Sequence, residues 1–260
     1  TSINLTAAGS GGKTPYLYKF YYKLGTATTV IRDFSATATA VFKPTQVGTY
    51  TLYVDVKDAA GKVATKSITN YAVVNNLAVK SFTTDEPSGQ YVTTNIDLTA
   101  FGTAGKSPYQ YKFYYNLGTT TVLLKNFSIS NTATFKPTVA GTYTLYVQIK
   151  DAAGKTVTKS IANYKVLAYP SVKTFTTDKA SGQLINTNIN LTATAIGGKT
   201  PYQYKFYYKI DTFVVVIQDY SASNTAVFKP TTKGTYSIYV QIKDANGKKC
   251  NKSITNYIIK

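Results

Sequence analysis

The sequence predicts an all-β chain made of three tandem β-sandwich domains of one kind, arranged end to end. Two observations predict it: a motif returns at a fixed spacing, and short alternating runs of apolar and polar residues fill each copy. Tyr18, Tyr111 and Tyr204 occupy the same place in this motif, 93 residues apart. Because 93 residues is the length of a whole domain rather than of a solenoid repeat, each copy is predicted to fold as a domain.

Alternation within each copy predicts half-buried strands. Residues 3–7 and 50–56 alternate apolar and polar side chains, as a strand with one face in a core does. Turn signals such as the Gly-Ser-Gly-Gly of residues 9–12 separate the strands, and no stretch has sustained helical periodicity. In the last strand the side-chain parity changes between Lys66 and Tyr71, which predicts a β-bulge that returns Lys66 to solvent.

One short motif narrows the architecture to an immunoglobulin-like Greek-key β-sandwich. The segment 48–52, Gly-Thr-Tyr-Thr-Leu, matches the start of strand F in that fold. Tyr50 is then a buried corner tyrosine whose hydroxyl bonds to backbone a few residues upstream. Leu52 faces Leu5 of strand B, and Phe20 of strand C fills the core between them. The same roles are predicted 93 and 186 residues later.

Three domains follow from the spacing, and we call them repeats 1, 2 and 3. They occupy residues 1–76, 77–169 and 170–260. Because the linkers between them are very short, a stiff rod about 100 Å long is expected. Small-angle scattering should report an extended particle, and a compact one would contradict this prediction.

Repeat 1 lacks a counterpart of the first strand of the other two repeats. That strand is predicted at residues 79–85 and 172–178, whereas Thr1 already aligns with Thr94. Two interpretations stay open. The sequence starts inside a longer polypeptide, or a neighbouring molecule donates the strand and the chains associate through the open edge of repeat 1.

The charge favours anionic partners. The chain has 29 Lys and Arg residues against 11 Asp and Glu, a net charge of +18. Arginine occurs once and no nucleic-acid-binding motif is present, so no nucleic-acid partner is expected. No apolar run approaches the roughly 20 residues of a membrane span, so no membrane insertion is expected.

The sequence contains no set of residues that is typical of a catalytic or metal-binding site. Histidine is absent, and the carboxylates shared by all three repeats are Asp58, Asp151 and Asp244, interpreted as turn residues that bond their own backbone. Without a repeated carboxylate pair or a Cys/His cluster, we expect no enzyme activity, metal or cofactor. Cys250, the single cysteine, is interpreted as a small core residue.

Three motifs together resemble the triple-tyrosine domain of clostridial surface proteins. They are the strand Tyr-x-Tyr-Lys-Phe-Tyr-Tyr, the strand Gly-Thr-Tyr-Thr-Leu-Tyr-Val and the turn Lys-Asp-x-x-Gly-Lys. The opening Phe-Thr-Thr-Asp-x-x-Ser-Gly-Gln of repeats 2 and 3 also fits. The resemblance covers the whole chain and implies an extracellular accessory module at the surface or cell wall of a Gram-positive bacterium.

Strand parity places two tyrosines and two lysines on one outer face, which we call the aromatic face. In repeat 1 it consists of Tyr21 and Lys19 on strand C and Tyr53 and Lys57 on strand F. The corresponding residues of the other repeats are Tyr114, Tyr146, Lys112 and Lys150, and Tyr207, Tyr239, Lys205 and Lys243.

Two interpretations of the aromatic face stay open. It is a ladder of aromatic pairs that stiffens the sheet, or a platform that binds an anionic cell-wall polymer or polysaccharide. The predicted function is a non-catalytic extracellular spacer or binding module next to further domains of a larger chain. The alternative is a structural stalk or filament subunit, an adhesin or polymer completed by strand donation.

Overall fold

The computed structural model describes residues 2–260, in which every regular element is a β-strand. Thr1, the predicted start of repeat 1, lies outside the described residues. The strands of repeat 1 are β1 (Ile3–Thr6), β2 (Leu17–Leu24), β3 (Ala27–Ser35), β4 (Thr39–Phe42), β5 (Gly48–Lys57) and β6 (Val63–Val73). Repeat 2 contains β7 (Ala78–Thr84), β8 (Gln90–Tyr91), β9 (Ile96–Thr103), β10 (Gln110–Leu117), β11 (Thr120–Ser128), β12 (Thr132–Phe135), β13 (Gly141–Lys150) and β14 (Thr156–Leu167). Repeat 3 contains β15 (Ser171–Thr177), β16 (Ile189–Ile196), β17 (Gln203–Ile210), β18 (Phe213–Ser221), β19 (Thr225–Phe228), β20 (Gly234–Lys243) and β21 (Lys249–Ile259).

Each sheet takes its strands from one repeat, in immunoglobulin-like order. Repeat 3 has a three-stranded sheet, β15-β16-β19, and a four-stranded sheet, β18-β17-β20-β21. Repeat 2 has the sheets β12-β9-β7 and β11-β10-β13-β14-β8, and repeat 1 has β1-β4 and β3-β2-β5-β6. The predicted all-β sandwich class is therefore confirmed, with strands C and F (β2 and β5) as neighbours. The domain limits at residues 76 and 169 stay predictions.

Contacts between Cα atoms divide the chain into two compact units. The first consists of Thr1–Ala78, Gly102–Tyr109 and Lys150–Val157, and the second of Val79–Phe101, Gln110–Ile149 and Thr158–Lys260. No helix within residues 2–260 is long and apolar enough to cross a membrane.

The core of repeat 3 joins its two sheets in one apolar cluster. Leu191 of one sheet and Phe206 and Ile238 of the other are fully buried within it. Burying each such side chain contributes roughly 1.5–3 kcal/mol, so this cluster dominates the stability of the domain. Cys250 packs against the cluster as a partly buried residue, as predicted.

The corner tyrosines are buried in all three repeats, as predicted. The hydroxyl of each donates to a backbone carbonyl four residues upstream. The pairs are Tyr50 with Gln46 at 2.8 Å, Tyr143 with Val139 at 2.6 Å, and Tyr236 with Thr232 at 2.8 Å. This bond ties the loop before strand F to the core, because the ring is anchored among apolar side chains.

Replacing Tyr143 with Phe is expected to lower the free energy of unfolding by about 1 kcal/mol. The ring still fills its site, whereas the Val139 carbonyl loses its donor. Denaturant unfolding of the variant measures this cost. Tyr146→Phe, which removes a hydroxyl from the half-exposed outer face, is the matched control. An equal cost in both variants would contradict the corner assignment.

The last strand of repeat 1 contains a β-bulge. The pairing of β5 with β6 shifts register between Tyr50 and Leu52, and Asn70 takes a φ of 57°. Asparagine tolerates that conformation better than most residues. The bulge lies beyond Lys66, which pairs with Val54 without a shift and is exposed. The predicted bulge between Lys66 and Tyr71 and the predicted exposure of Lys66 are therefore both confirmed, but the bulge is not the cause of that exposure.

Candidate functional site

The aromatic face holds a stacked tyrosine pair in every repeat. Tyr21 lies directly opposite Tyr53 in the pairing of β2 with β5, so the two half-buried rings meet side by side. The ring centroids are 4.9 Å apart for Tyr21–Tyr53, 4.8 Å for Tyr114–Tyr146 and 4.9 Å for Tyr207–Tyr239, with interplanar angles of 3° to 4°. Such a pair contributes about 0.5–1.5 kcal/mol beyond its buried area, which stiffens the sheet.

On this face the hydroxyls of Tyr21, Tyr114 and Tyr207 stay protonated at neutral pH. Burial, and then the Asp55 carboxylate, raise the pKa of Tyr21, whose hydroxyl donates to Asp55 at 3.4 Å. Burial also raises the pKa of Tyr114 and of Tyr207. These groups therefore act as hydrogen-bond donors toward acceptor oxygens.

The lysines of the face bracket a third aromatic ring that sequence reasoning missed. In repeat 1 this ring is Phe34 of β3, with the Lys57 ammonium 4.3 Å and the Lys19 ammonium 5.8 Å from its centroid. Lys19 also forms an ion pair with Asp33, at 3.3 Å. The signal was present in the sequence, because positions 34, 127 and 220 are all aromatic.

Three lysine ammonium groups surround the third aromatic ring of repeat 3, Tyr220. The ammonium groups of Lys243, Lys249 and Lys205 lie 4.5, 5.6 and 5.8 Å from the centroid of Tyr220. Lys205 is also paired with Asp219 at 3.1 Å. Lysine over an aromatic face gains about 0.5–1 kcal/mol at an exposed site, so these side chains are held in place.

The repeated carboxylates are bound by backbone, as predicted. Asp58 accepts the N–H groups of Ala60 at 3.0 Å and Lys62 at 2.9 Å with one oxygen, and that of Lys13 at 3.1 Å with the other. The Lys13 and Lys62 amides hold the pKa of Asp58 below its ordinary value. Within residues 2–260, no group of three or more His, Cys, Asp or Glu residues could hold a metal ion.

Asp244 has one partner more than Asp58. The Tyr91 hydroxyl of repeat 2 donates to it, and the Tyr91 ring stacks on Tyr169, with centroids 4.9 Å apart. Burial, and then the bond to Asp244, raise the pKa of Tyr91 to about 12. The Lys248 ammonium lies 5.7 Å from the Tyr91 centroid. Tyr91 therefore links repeats 2 and 3 within the second compact unit.

Repeat 1 contains a groove where the other two repeats have closed cores. The groove encloses 1140 Å³ and is lined by residues that include Leu5, Ala7, Val54, Val56 and Ala64; we call it the open groove. The first three-stranded sheet of the other repeats is reduced here to the pair β1-β4.

A family of bacterial immunoglobulin-like domains matches residues 1–76 and 71–168. The chain belongs to the bacterial Ig-like domain family. In this bacterial Ig-like chain, repeat 3 continues the 93-residue spacing beyond the matched ranges. No curated protein sequence matches it.

Several solved multidomain structures are similar to this bacterial Ig-like chain in fold alone. The three N-terminal domains of the highly immunogenic outer capsid protein of bacteriophage RB49 are 14% identical, covering 100% of this chain and 93% of that one, with a TM-score of 0.45. The mouse nectin-like molecule 4 ectodomain is 10% identical, covering 100% and 93%, with a TM-score of 0.44. A structure from a 1.5-MDa bacterial ice-binding adhesin is 13% identical, covering 99% and 90%, with a TM-score of 0.38.

Proposed function

We propose that this chain is a non-catalytic extracellular module of a bacterial surface protein that binds an anionic cell-wall polymer through its aromatic faces. The observation that carries the proposal is the same arrangement in all three repeats: a stacked tyrosine pair beside lysines on an outer sheet face. The family membership supports a bacterial surface protein, and the triple-tyrosine resemblance supports a Gram-positive, clostridial subfamily.

The chemistry of the face suits a phosphate-bearing polyol or sugar chain. Tyrosine offers an apolar ring and a protonated hydroxyl, while lysine offers a point charge for a phosphate. In repeat 3, Lys205 and Lys243 flank the face and Lys249 adds a further charge beside Tyr220. We therefore expect repeat 3 to contribute most of the charge-dependent binding.

Three weak sites on one chain are sufficient for retention at a repetitive polymer. Binding of one repeat raises the local polymer concentration at the other two, so the combined affinity exceeds that of each site by orders of magnitude. A contact that is weak in each repeat would then hold the protein at the wall and still allow exchange.

Purified Gram-positive walls, with and without their teichoic acids, test the proposal. The chain should sediment with complete walls and stay mostly in solution with stripped ones. Because exposed charges are screened within about 8 Å at physiological ionic strength, added salt should weaken the binding. Equal binding to both wall preparations would overturn the choice of polymer.

A second candidate function is that of a stalk or filament subunit, and the open groove of repeat 1 favours it. A strand donated by a neighbouring molecule would complete the β1-β4 sheet of repeat 1, as β7 and β15 complete the corresponding sheets of repeats 2 and 3. Both functions are compatible with one chain, because Tyr53 is the one aromatic-face residue of repeat 1 that also lines the open groove, whereas Tyr21, Lys19 and Lys57 do not.

A further inference from the structure

The edge strand of repeat 3 exposes a run of apolar side chains. Strand β18 begins with Phe-Val-Val-Val-Ile at residues 213–217. The first four of these side chains are 68%, 58%, 39% and 48% exposed, in that order. The equivalent positions are Ala-Thr-Thr-Val at residues 27–30 of repeat 1 and Thr-Thr-Val-Leu at residues 120–123 of repeat 2. The apolar run is therefore particular to repeat 3, and the fold does not require it.

Strand β18 also presents unpaired main chain along its outer edge. Within residues 2–260 it pairs with β17 alone, as the outermost strand of the sheet β18-β17-β20-β21. Phe213 lies opposite Ile210 across a two-residue turn, so this pair is hydrogen-bonded and the pairs alternate from there. Val214 and Val216 therefore direct their N–H and C=O groups away from β17. Folded proteins normally protect such an edge with charged side chains, and the apolar run leaves this one unprotected.

The lysines beside this edge are directed away from it. The Lys209 ammonium lies 5.4 Å from the centroid of Tyr239, so this side chain leans from β17 toward β20 and away from β18. Lys205 is held by its ion pair with Asp219, at 3.1 Å. Residues 213–218 contain no charged side chain. The edge is therefore a neutral, apolar surface on a strongly basic chain, and it favours an apolar partner over an acidic one.

We propose that β18 is a self-association surface, which pairs antiparallel with β18 of a second copy of this chain. Because residues 213–217 are all apolar, a pairing centred on Val215 places each of them opposite another apolar residue. The N–H and C=O groups of Val214 then pair with those of Val216 in the second copy, where β17 leaves them unpaired. One two-fold pairing satisfies both exposed edges at once, and closed two-fold dimers are the commonest oligomers.

The pairing joins two four-stranded sheets into one sheet of eight strands. Because its two-fold axis is perpendicular to the sheet, the aromatic faces of the two copies lie on the same side. One strand pair buries less than the roughly 1,200 Å² of a standard interface, so we expect a weak dimer that depends on concentration. A dimer also presents twice as many aromatic faces to one polymer, a consequence that rests on the proposed function. The self-association itself does not rest on it.

Sedimentation equilibrium of the intact chain tests the proposal. The apparent mass should rise from that of one chain toward that of two as the protein concentration increases. Added salt should strengthen the association, because it screens the repulsion between two copies that each carry a net charge of +18. Wall binding is expected to have the opposite salt dependence, so the two kinds of association can be told apart.

The residues of repeat 2 supply a variant that the fold accepts. Phe213→Thr combined with Val214→Thr gives repeat 3 the residues found at positions 120 and 121. It should weaken dimerisation at least about tenfold, because two exposed apolar side chains per copy are lost from the pairing. Val227→Thr is the matched control, since Val227 is 51% exposed on β19 of the other sheet. It should leave dimerisation unchanged.

A cysteine at the centre of the pairing tests its register. The background is Cys250→Val, which takes its residue from Val157 of repeat 2. In this background Val215→Cys should form a disulfide between two chains on mild oxidation. Directly opposite residues that are not hydrogen-bonded lie about 4.5 Å apart between Cα atoms, within the range of a disulfide. Val227→Cys, outside the pairing, should not crosslink the chains.

A chain that stays monomeric up to millimolar concentration overturns the proposal. So does a dimer that Phe213→Thr with Val214→Thr leaves intact, and so does open-ended aggregation, which a closed two-fold pair excludes. Because these measurements contain no cell walls, their failure leaves wall binding by the aromatic faces untouched. Equal wall sedimentation of the wild type and this double variant would overturn only the added contribution of the dimer to polymer binding.

Discussion

Replacing both stacked tyrosines by alanine in all three repeats is expected to reduce the apparent affinity for cell walls at least about a hundredfold. The six changes are Tyr21→Ala, Tyr53→Ala, Tyr114→Ala, Tyr146→Ala, Tyr207→Ala and Tyr239→Ala. Each site loses its apolar platform and its hydroxyl donors, and small losses at each site multiply in a multivalent complex. Binding isotherms with purified walls measure the effect.

The matched control replaces the same six residues by phenylalanine. This variant keeps the stacked rings and the stability they contribute, and it removes only the hydroxyl groups. If the rings supply the platform, the phenylalanine variant should retain most of the binding. Circular dichroism and unfolding curves of both variants separate lost binding from lost folding.

A second set of variants separates the contribution of the tyrosine rings to wall binding from that of the lysine charges. Changing Lys19, Lys57 and their counterparts to Gln removes the charges beside the rings and should flatten the salt dependence of binding. If charge dominates, this variant loses more binding than the alanine variant. Unchanged wall binding after removal of both groups would falsify the binding role and leave the tyrosine pairs as structural support.

The fold could be predicted from the sequence because its determinants are local and recur three times. Tyr50 is identified by the Gly-x-Tyr-x-Leu pattern, since a corner tyrosine bonds only four residues upstream. Tyr21 and Tyr53 could be placed on one face because strand parity is fixed within β2 and β5 and the two strands pair without a shift. The alternation of side chains along a strand is therefore sufficient to place Tyr21 and Tyr53 on the same face.

Phe34 and Tyr91 could not be placed in the same way. The pairing of β2 with β3 shifts register between Tyr18 and Phe20 and again between Phe20 and Tyr21, so parity does not carry from strand C to Phe34. Tyr91 is not one of the repeated tyrosines, and its partner Asp244 is 153 residues away. Contacts that depend on an irregular register or on a single copy leave no periodic signal.

The link between repeats 2 and 3 provides the second large expected effect. Asp244→Ala is expected to lower the free energy of unfolding of repeat 3 by about 4 kcal/mol. The substitution removes one acceptor from four donors, which are the Tyr91 hydroxyl and the N–H groups of Lys199, Asn246 and Lys248. Denaturant unfolding measures the loss. Asp58→Ala removes three bonds from backbone N–H groups and none from a tyrosine, so it should lower the free energy of unfolding by less than Asp244→Ala does.

Tyr91→Phe removes only the hydrogen bond that the Tyr91 hydroxyl donates to Asp244. It should lower the free energy of unfolding by about 2 kcal/mol, which is in the range for a hydrogen bond to a charged group. Because burial and the Asp244 bond raise the pKa of Tyr91 to about 12, the folded state favours the neutral phenol. Its stabilisation is therefore complete below the ordinary tyrosine pKa of about 10 and is lost as the pH rises through 12.

The difference in stability between wild type and Tyr91→Phe should consequently be constant up to about pH 10 and shrink toward pH 12. Groups that the substitution does not touch contribute equally to both proteins, so their contributions cancel in the difference. Low pH affects the other partner of this bond, the carboxylate of Asp244. Burial opposes ionisation of Asp244, but the Tyr91 hydroxyl and three backbone amides outweigh it and hold its pKa low. The stabilisation is then present above the ordinary aspartate pKa of about 4 and is lost as the pH falls below it. A difference that stays constant through both ranges would show that the Tyr91–Asp244 bond contributes nothing to stability.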